Sequence, residues 1–401
     1  MRILEVNTRE TAKTITIFAK CKIRHIGYDE AYFTFDKKYK PFLQVDASPF
    51  AAALLIPSMR MGEDLVIEGK ISKELFEGMH KIMEHFLSWN IGLKPIKIIA
   101  SELVADTAKP TVSATFFSGG VDSFYTLLKR KKDKKDPVTH LLLVKGYDVD
   151  VRNEDLWDAT LKNIQKVAKA EKVELIVAES NLRTLIDPIF VYFWDYYHGG
   201  CLTAVALCLR RGIKQVYVPS SLPASEQVPW GTHFDTDKYW GTEKLSFTHD
   251  GGEASRVDKI NWQIAKSPTA LKYLRVCYMN EIGAFNCGQC EKCVRTMINL
   301  YVAGVLDKAE TFPHRLDPEK VATMKIDKNN QELHRDNLRA LEKYGAPAEL
   351  QDAQRACIAS LKNADTSVPF IKRVAHLIYL DQMYLGGYLY KAAQAVLGRK
   401  F

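Results

Sequence analysis

Short apolar runs alternate with amphipathic segments through the middle of the chain. Helix-like segments follow the first two runs, and in NEDLWDATLKNIQKVAKAEK, which starts at Asn153, apolar side chains recur at helical spacing. A long helix ending near Arg211 precedes the fourth run. The runs have the length of buried strands and are TVSATFF from Thr111, THLLLVKG from Thr139, VELIVAES from Val173 and KQVYVPSS from Lys214. This alternation predicts an α/β fold with a doubly wound parallel sheet over residues 111–305.

The segments on either side follow other patterns. Residues 1–110 contain strand-like runs, KTITIFAKCKI, AYFTF and EDLVIEG, and one segment, KELFEGMHKIMEHFLSW, with an apolar helical face. They predict an N-terminal α+β domain. Residues 306–401 are charged and helix-like, and they predict a helical C-terminal region that packs as a cap on the sheet.

Polar residues follow each of the four predicted strands. Ligands of open α/β sheets bind outside the carboxyl ends of the strands, so we expect a binding site at this edge. The polar groups there are Ser118-Gly119-Gly120, residues 145–148, Ser180-Asn181 and Ser220-Ser221.

Composition narrows the class of protein. The chain has 401 residues, of which 47% are hydrophobic and 26% charged, as in ordinary soluble globular proteins. The net charge of +8 permits an acidic partner such as a nucleotide without requiring one, and no RNA-binding module stands out, so a nucleic-acid partner is not expected.

The start, MRILEVNTRE, is too charged for a signal peptide, and the longest apolar stretch is interrupted by Asp195 and His198. We therefore expect a cytoplasmic protein with no membrane partner, whose eight cysteines are metal ligands or buried thiols.

The junction SATFFSGGVDSFYTLLKR, which starts at Ser113, carries an anion-binding pattern. Adjacent glycines between a strand and a helix let backbone amides approach an anion, and the helix N-terminus favours negative charge. Neither GxxxxGK[ST] nor GxGxxG is present. An anion would therefore rely on backbone N–H groups, the hydroxyls of Ser118 and Ser123, and a divalent cation held partly by Asp122. The structural alternative is a tight turn whose aspartate only caps the helix.

Three cysteines lie within seven residues in the stretch RVCYMNEIGAFNCGQCEKCVRTM. Cys287, Cys290 and Cys293 stand at successive CxxC spacings, and Cys277 lies ten residues upstream. Four thiolates converging on one point suit a structural Zn²⁺, with an iron–sulfur cluster as the rival. Cys201 and Cys208 lie on an apolar helix and are expected in the core.

The glycine turn and the cysteines together resemble the 7-cyano-7-deazaguanine synthase family of the N-type ATP pyrophosphatases, also called PP-loop enzymes. The family's loop motif, SGGxDS, is matched at every fixed position by residues 118–123, and the resemblance covers about residues 112–300. It implies the PP-loop fold and a Cys₄ zinc site on the C-terminal side. It further implies ATP binding at Ser118, Gly119, Gly120, Val121, Asp122, Ser123, Val144 and Lys145, with Asp122 and Ser123 also in the chemistry.

In that family a substrate carboxylate attacks the α-phosphorus of ATP and releases pyrophosphate. An amine then attacks the adenylated acid to give an amide, which the synthases dehydrate to a nitrile. The resemblance therefore implies an ATP-dependent C–N ligase that uses ATP, Mg²⁺ and Zn²⁺. Its other partners would be a small planar carboxylate and an amine donor, which is ammonia, an amino acid or a protein N-terminus, and a homodimer is the common assembly for such enzymes.

The stretch after the fourth strand departs from the family. The synthases carry a GYPDC-like loop there, whereas residues 220–260 of this chain are rich in tryptophan, histidine and carboxylate side chains. We expect this stretch to lie beside the ATP site, with tryptophans stacking on a planar ring. From it we select Lys259 and Asp250 as candidate catalytic residues, and expect Arg256 and Lys259 to neutralise charge on the phosphates.

Two further functions remain open from the sequence. A PP-loop tRNA or nucleotide thiolase would use an iron–sulfur cluster or a persulfide and a positive RNA groove. A non-catalytic nucleotide-binding scaffold would need the loop only for binding.

Overall fold

One ten-stranded sheet runs through the molecule. The computed structural model describes residues 1–23, 27–187, 194–277, 279, 285–326, 330–360, 377, 381 and 388. The strands are β1 (Arg2–Glu10), β2 (Thr14–Ile23), β3 (Gly27–Asp36), β4 (Leu65–Ser72), β5 (Ile98–Val104), β6 (Val112–Phe116), β7 (His140–Lys145), β8 (Glu174–Ser180), β9 (Ile213–Pro219) and β10 (Ser246–Asp250). They are ordered β10-β9-β6-β7-β8-β3-β2-β1-β4-β5.

Helices cover both faces of the sheet. They are α1 (Ser48–Met61), α2 (Lys73–Ser88), α3 (Val121–Arg130), α4 (Glu154–Glu171), α5 (Leu182–Ile186), α6 (Trp194–Cys208), α7 (Arg256–Trp262), α8 (Pro268–Tyr273), α9 (Glu291–Val302), α10 (Pro318–Thr323), α11 (Gln331–Lys343) and α12 (Ala348–Ser360). One large core joins α1 and α6 to the sheet, and a second joins α3, α4, α8 and α9 to it. The sheet is mostly parallel, so the predicted α/β class is confirmed.

The strand order creates a switch point between β6 and β9. From β6 the chain continues to β7 and β8 on one side, whereas β9 and β10 lie on the other side, all in parallel. Connections leave in opposite directions here, which opens a crevice at the carboxyl ends of β6 and β9. The loop after β6 is the glycine turn, so the fold puts the SGGVDS motif at the crevice.

The first 110 residues share this sheet with the rest of the chain. Strand β3 pairs antiparallel with β8, with Phe33 opposite Ser180. Asn181 fixes the pairing, because its side chain accepts from the Tyr32 N–H at 3.0 Å and donates to the Glu30 carbonyl at 2.7 Å. The boundary expected near residue 110 therefore falls within one continuous sheet.

Helix α1 packs closely against α6. It is almost wholly buried, and a Cβ on Gly200 of α6 would lie 2.4 Å from the Ala52 carbonyl oxygen, so only glycine permits this approach. At the end of α6, buried Arg210 pairs with the buried carboxylates of Asp46 and Asp106. These contacts join the N-terminal segment to the parallel part of the sheet.

Helices α9 to α12 surround a smaller third core that includes Val294, Ile298, Leu341 and Cys357. Helices α10, α11 and α12 lie in the segment predicted to be helical. The end of the predicted cap, residues 361–401, lies outside the described residues except at positions 377, 381 and 388.

Candidate functional site

The glycine turn presents an uncapped helix N-terminus at the switch point. Gly119 has φ +82°, a left-handed conformation that favours glycine, and Gly120 precedes α3 with φ −83° and ψ 174°. Among the described residues, no side chain caps the first turn of α3. The Ser123 hydroxyl donates to the Gly120 carbonyl at 3.0 Å and braces the turn. Backbone N–H groups at the start of a helix without a side-chain cap suit an anion.

Asp122, in the first turn of α3, is bound to two basic side chains of α7. Its Oδ1 accepts from Lys259 Nζ at 3.0 Å, and its Oδ2 pairs with Arg256. Burial would raise the pKa of Asp122, but Arg256 and Lys259 hold it below its usual value. The sequence assigned this carboxylate to a divalent cation, whereas the structure gives it two protein cations as partners.

Lys259 is the most deeply buried of these groups. Its side chain is 0% exposed, and its ammonium also donates to the Ser220 carbonyl at the end of β9. Burial lowers the pKa of Lys259, and Asp122 opposes that shift. A capping box between Ser255 and Asp258 fixes the start of α7. The structure thus brings predicted residues Lys259 and Asp122 into direct contact at the switch point.

Three more basic residues belong to the segments that follow α7. The Arg275 N–H donates to the Gly119 carbonyl at 2.8 Å, which packs this residue directly on the glycines. Arg295, buried on α9, has a pKa lowered by burial and by repulsion from Arg256. Lys292, exposed one turn earlier on α9, lies within electrostatic reach of Arg256 and Arg295. Arg256 and Lys259 therefore contact the carboxylate in the first turn of α3, Arg295 acts on it electrostatically, and the backbone of Arg275 bonds to the turn itself.

The four predicted cysteine ligands come together. Their Sγ atoms all lie within 4.8 Å of one another, with 3.9 Å from Cys277 to Cys290 and 3.9 Å from Cys287 to Cys293. A single tetrahedral ion about 2.3 Å from each thiolate places the sulfurs about 3.8 Å apart. The group could therefore hold one metal ion.

Asn286 holds the two arms of this cysteine group, and sequence reasoning missed it. Its Oδ1 accepts from the Val276 N–H at 2.8 Å and the Cys277 N–H at 3.2 Å. Its Nδ2 donates to the Leu274 carbonyl at 2.9 Å. A single asparagine beside a CxxC pattern carries no sequence signal of this role.

The cysteine group and the cations belong to the same elements. Helix α9 begins directly after Cys290 and carries Lys292 and Arg295, whereas Arg275 lies two residues before Cys277. Fixing the four sulfurs therefore fixes both chain segments that bring these cations to the turn.

Aromatic side chains form a row at the same edge of the sheet, on the side of α6. Ring centroids are 5.4 Å apart for Tyr147 and Trp194, 5.9 Å for Trp194 and His198, and 5.7 Å for His198 and Trp230. Of these, Trp194, His198 and Trp230 are half-buried. His198 Nδ1 lies 3.1 Å from the Trp194 carbonyl, and burial lowers the pKa of His198, which favours the neutral ring. Trp240, by contrast, is part of the core.

Asp250, predicted to be catalytic, is bound elsewhere. Its Oδ1 accepts from Arg130 Nε at 2.8 Å and from Lys129 Nζ at 3.1 Å, both in the last turn of α3. This carboxylate joins β10 to the end of α3 that is remote from the glycine turn. The structure therefore gives Asp250 a packing role and does not bring its side chain to Asp122.

Two predicted ATP contacts are the last two residues of the neighbouring strand, β7. Val144 is buried in the larger core, and the Lys145 ammonium donates to Glu154 at 2.7 Å and lies 3.5 Å from Glu179. The Lys145 ammonium is thus paired with two carboxylates, and the Val144 side chain is committed to the core.

Among the described residues, no helix combines the length and apolar content needed to cross a membrane. No protein-family model matches the chain, and no match is found among curated proteins or solved structures.

Proposed function

We propose that the protein is an ATP-dependent adenylating enzyme with C–N ligase activity. The observation that carries the proposal is that Arg256, Lys259 and Arg295 act on the first turn of a helix whose N-terminus has no side-chain cap among the described residues, at the sheet's switch point. A triphosphate offers the oxygens and the negative charge that such a site lacks. The SGGVDS sequence of this turn is the motif that resembles the PP-loop.

The proposed reaction has two steps. A carboxylate oxygen of the substrate attacks the α-phosphorus, the bond from this phosphorus to the bridging oxygen breaks, and pyrophosphate leaves. An amine then attacks the acyl carbon and AMP leaves. Arg256 and Lys259 would stabilise charge on the departing pyrophosphate by transferring hydrogen bonds from Asp122 to phosphate oxygens. Mg²⁺ supplied with ATP would neutralise further phosphate charge, with Asp122 as the carboxylate available beside the loop.

The row of aromatic rings supports a planar substrate, such as a 7-deazaguanine-type acid. Stacking on Trp194 or Trp230 would bury a flat ring at the edge where the phosphates bind. Neutral His198 would add a hydrogen-bond acceptor or donor to this surface.

We propose zinc for the four cysteines. Spacings of 3.9 Å between sulfurs agree with one tetrahedral ion, whereas a multi-iron cluster holds its cysteines on separate irons and farther apart. This favours the ligase over a thiolase that uses an iron–sulfur cluster. All eight cysteines, each in the described part of the chain, are free, in keeping with a reducing compartment such as the cytoplasm.

Product analysis tests the reaction. Purified protein with Mg²⁺-ATP, 7-carboxy-7-deazaguanine and ammonia should give AMP and pyrophosphate by ³¹P NMR. Lys259→Met should abolish this activity while the protein remains folded. ADP and phosphate as products would contradict the proposal.

A further inference from the structure

A buried series of hydrogen-bonded side chains links the C-terminal helices to α9. Gln354 Nε2 on α12 lies 3.2 Å from His334 Nδ1 on α11, and His334 Nε2 lies 2.9 Å from Glu291 Oε1 on α9. Glu291 pairs in turn with Arg295, one turn further along α9. The side chains of His334 and Arg295 are 0% and 3% exposed.

The partners of His334 fix which atom donates and which accepts in this series of hydrogen bonds. An amide N–H of Gln354 donates to Nδ1 of His334, so the ring proton resides on Nε2 and is donated to Glu291. The Glu291 carboxylate thereby lies between the His334 ring on one side and the Arg295 guanidinium on the other. It holds Arg295 in one orientation on α9.

The guanidinium of Arg295 has a hydrogen-bond donor that could serve a ligand. Its Nη1 is buried and finds no hydrogen-bond partner in the part of the chain that the structure describes, and its charge acts on both Asp122 and Arg256. Leaving a guanidinium nitrogen buried and unpaired is costly, so such a group calls for an acceptor that the described residues do not supply. A phosphate oxygen at the turn is that acceptor.

We propose that Arg295 is a phosphate-binding residue and that Glu291 and His334 position it, so that the C-terminal helices complete the nucleotide site. This rests on the proposed binding of a triphosphate at residues 118–123. It assigns to α11 and α12 a role in ligand affinity beyond packing.

Isothermal titration of the full-length protein with inorganic tripolyphosphate tests the proposal. Arg295→Gln should weaken binding at least tenfold, and Glu291→Gln and His334→Leu should weaken it three- to tenfold. His334→Gln, which keeps an N–H donor, should restore affinity to within about twofold of wild type. Should His334→Leu fail to fold, Gln354→Leu removes one hydrogen bond of the series with a smaller change to the core.

Asn337→Leu is the matched control. Asn337 is buried one turn after His334 and bonds to α9 through Asn299 and the Arg295 carbonyl, without contacting Glu291. It should lower the melting temperature as His334→Leu does but leave affinity within twofold. Equal tripolyphosphate affinities for His334→Leu, Glu291→Gln and Asn337→Leu would overturn the positioning role. If the wild-type protein still binds tripolyphosphate in that case, the proposed function stands. Absence of tripolyphosphate binding by wild type would overturn both.

Discussion

Asp122 is the residue on which the charge balance of the site depends. Lys259 has no contact with solvent, and its ammonium is hydrogen-bonded to Asp122 and the Ser220 carbonyl. Arg256 approaches the same carboxylate from the neighbouring turn of α7. Removing the carboxylate leaves two cations facing each other, whereas removing Lys259 leaves a pair that is still neutral.

We therefore expect unequal costs for the two sides of this contact. Asp122→Asn should lower the free energy of unfolding by about 3 kcal/mol, because it leaves a buried ammonium without a carboxylate partner. Lys259→Met, which fills the space with an apolar chain, should cost less than half as much. Urea unfolding followed by circular dichroism measures both values. Equal losses would show that the cations are not stabilised by Asp122.

Single residues were predictable where a short pattern carries the chemistry. SGGVDS and the cysteine spacing identified residues 118–123 and four sulfurs that the structure brings together. The partners of Asp122 and Asp250 were not predictable in this way. Asp122 follows β6 and Asp250 ends β10, and only the positions of α3 and α7 decide that Asp122 contacts Lys259 and that Asp250 contacts Arg130.

At the scale of elements, α9 couples the cysteine group to the phosphate site. Its first residues follow Cys290, and the helix carries Lys292 and Arg295 toward the glycine turn. With a metal bound, the four sulfurs hold the start of this helix. Without one, four thiols in contact offer only weak hydrogen bonds.

Metal removal should therefore affect phosphate binding as well as stability. We expect one metal ion per chain by elemental analysis, and a lower melting temperature with a strong chelator. Cys293→Ser should reproduce the loss of stability and weaken tripolyphosphate binding at least fivefold.

Cys357→Ser is the control, because Cys357 is equally buried but belongs to the third core and not to the cysteine group. It should leave the metal content and the affinity for tripolyphosphate unchanged. Full affinity in metal-free Cys293→Ser protein would contradict the coupling through α9.

Strands β6 to β9 and helices α3, α4 and α6 were predictable from periodicity, since each is a continuous run of one pattern, whereas β10 and α7 lie in a stretch for which no element was predicted. Helix α1 was harder, because its segment SPFAAALLIPSMRM is apolar on every side and contains Pro57. Such a pattern arises when a helix is buried all round, as α1 is against α6 and the sheet.

At the scale of the whole molecule, the sheet joins segments that the sequence suggested were separate. The antiparallel pairing of β3 with β8 connects residues far apart in the chain, and no local sequence pattern predicts it. Arg210 adds a buried ion pair with Asp46 across the same junction. Non-local pairing of this kind depends on the assembled fold, which explains why sequence periodicity alone missed it.

This continuity predicts how fragments behave. A fragment of residues 1–110 would expose α1, which is buried almost completely in the whole chain, and the edge of β3 that pairs with β8. We expect it to lack a cooperative unfolding transition, and the full chain to show a single transition for this region. Circular dichroism during urea titration distinguishes the outcomes. A sharp transition for the isolated fragment would identify an independent domain.

The central claim is that the glycine turn binds the phosphates of ATP, and calorimetric titration with Mg²⁺-ATP of two glycine variants tests it most directly. Gly119→Ala and Gly345→Ala both place a side chain at positive φ, +82° and +67°, but Gly345 lies in the turn between α11 and α12. Each should cost about 1–2 kcal/mol of stability. We predict that Gly119→Ala weakens Mg²⁺-ATP binding at least tenfold and that Gly345→Ala leaves it unchanged. Equal affinity of both variants and wild type, or no binding by wild type, would contradict the claim.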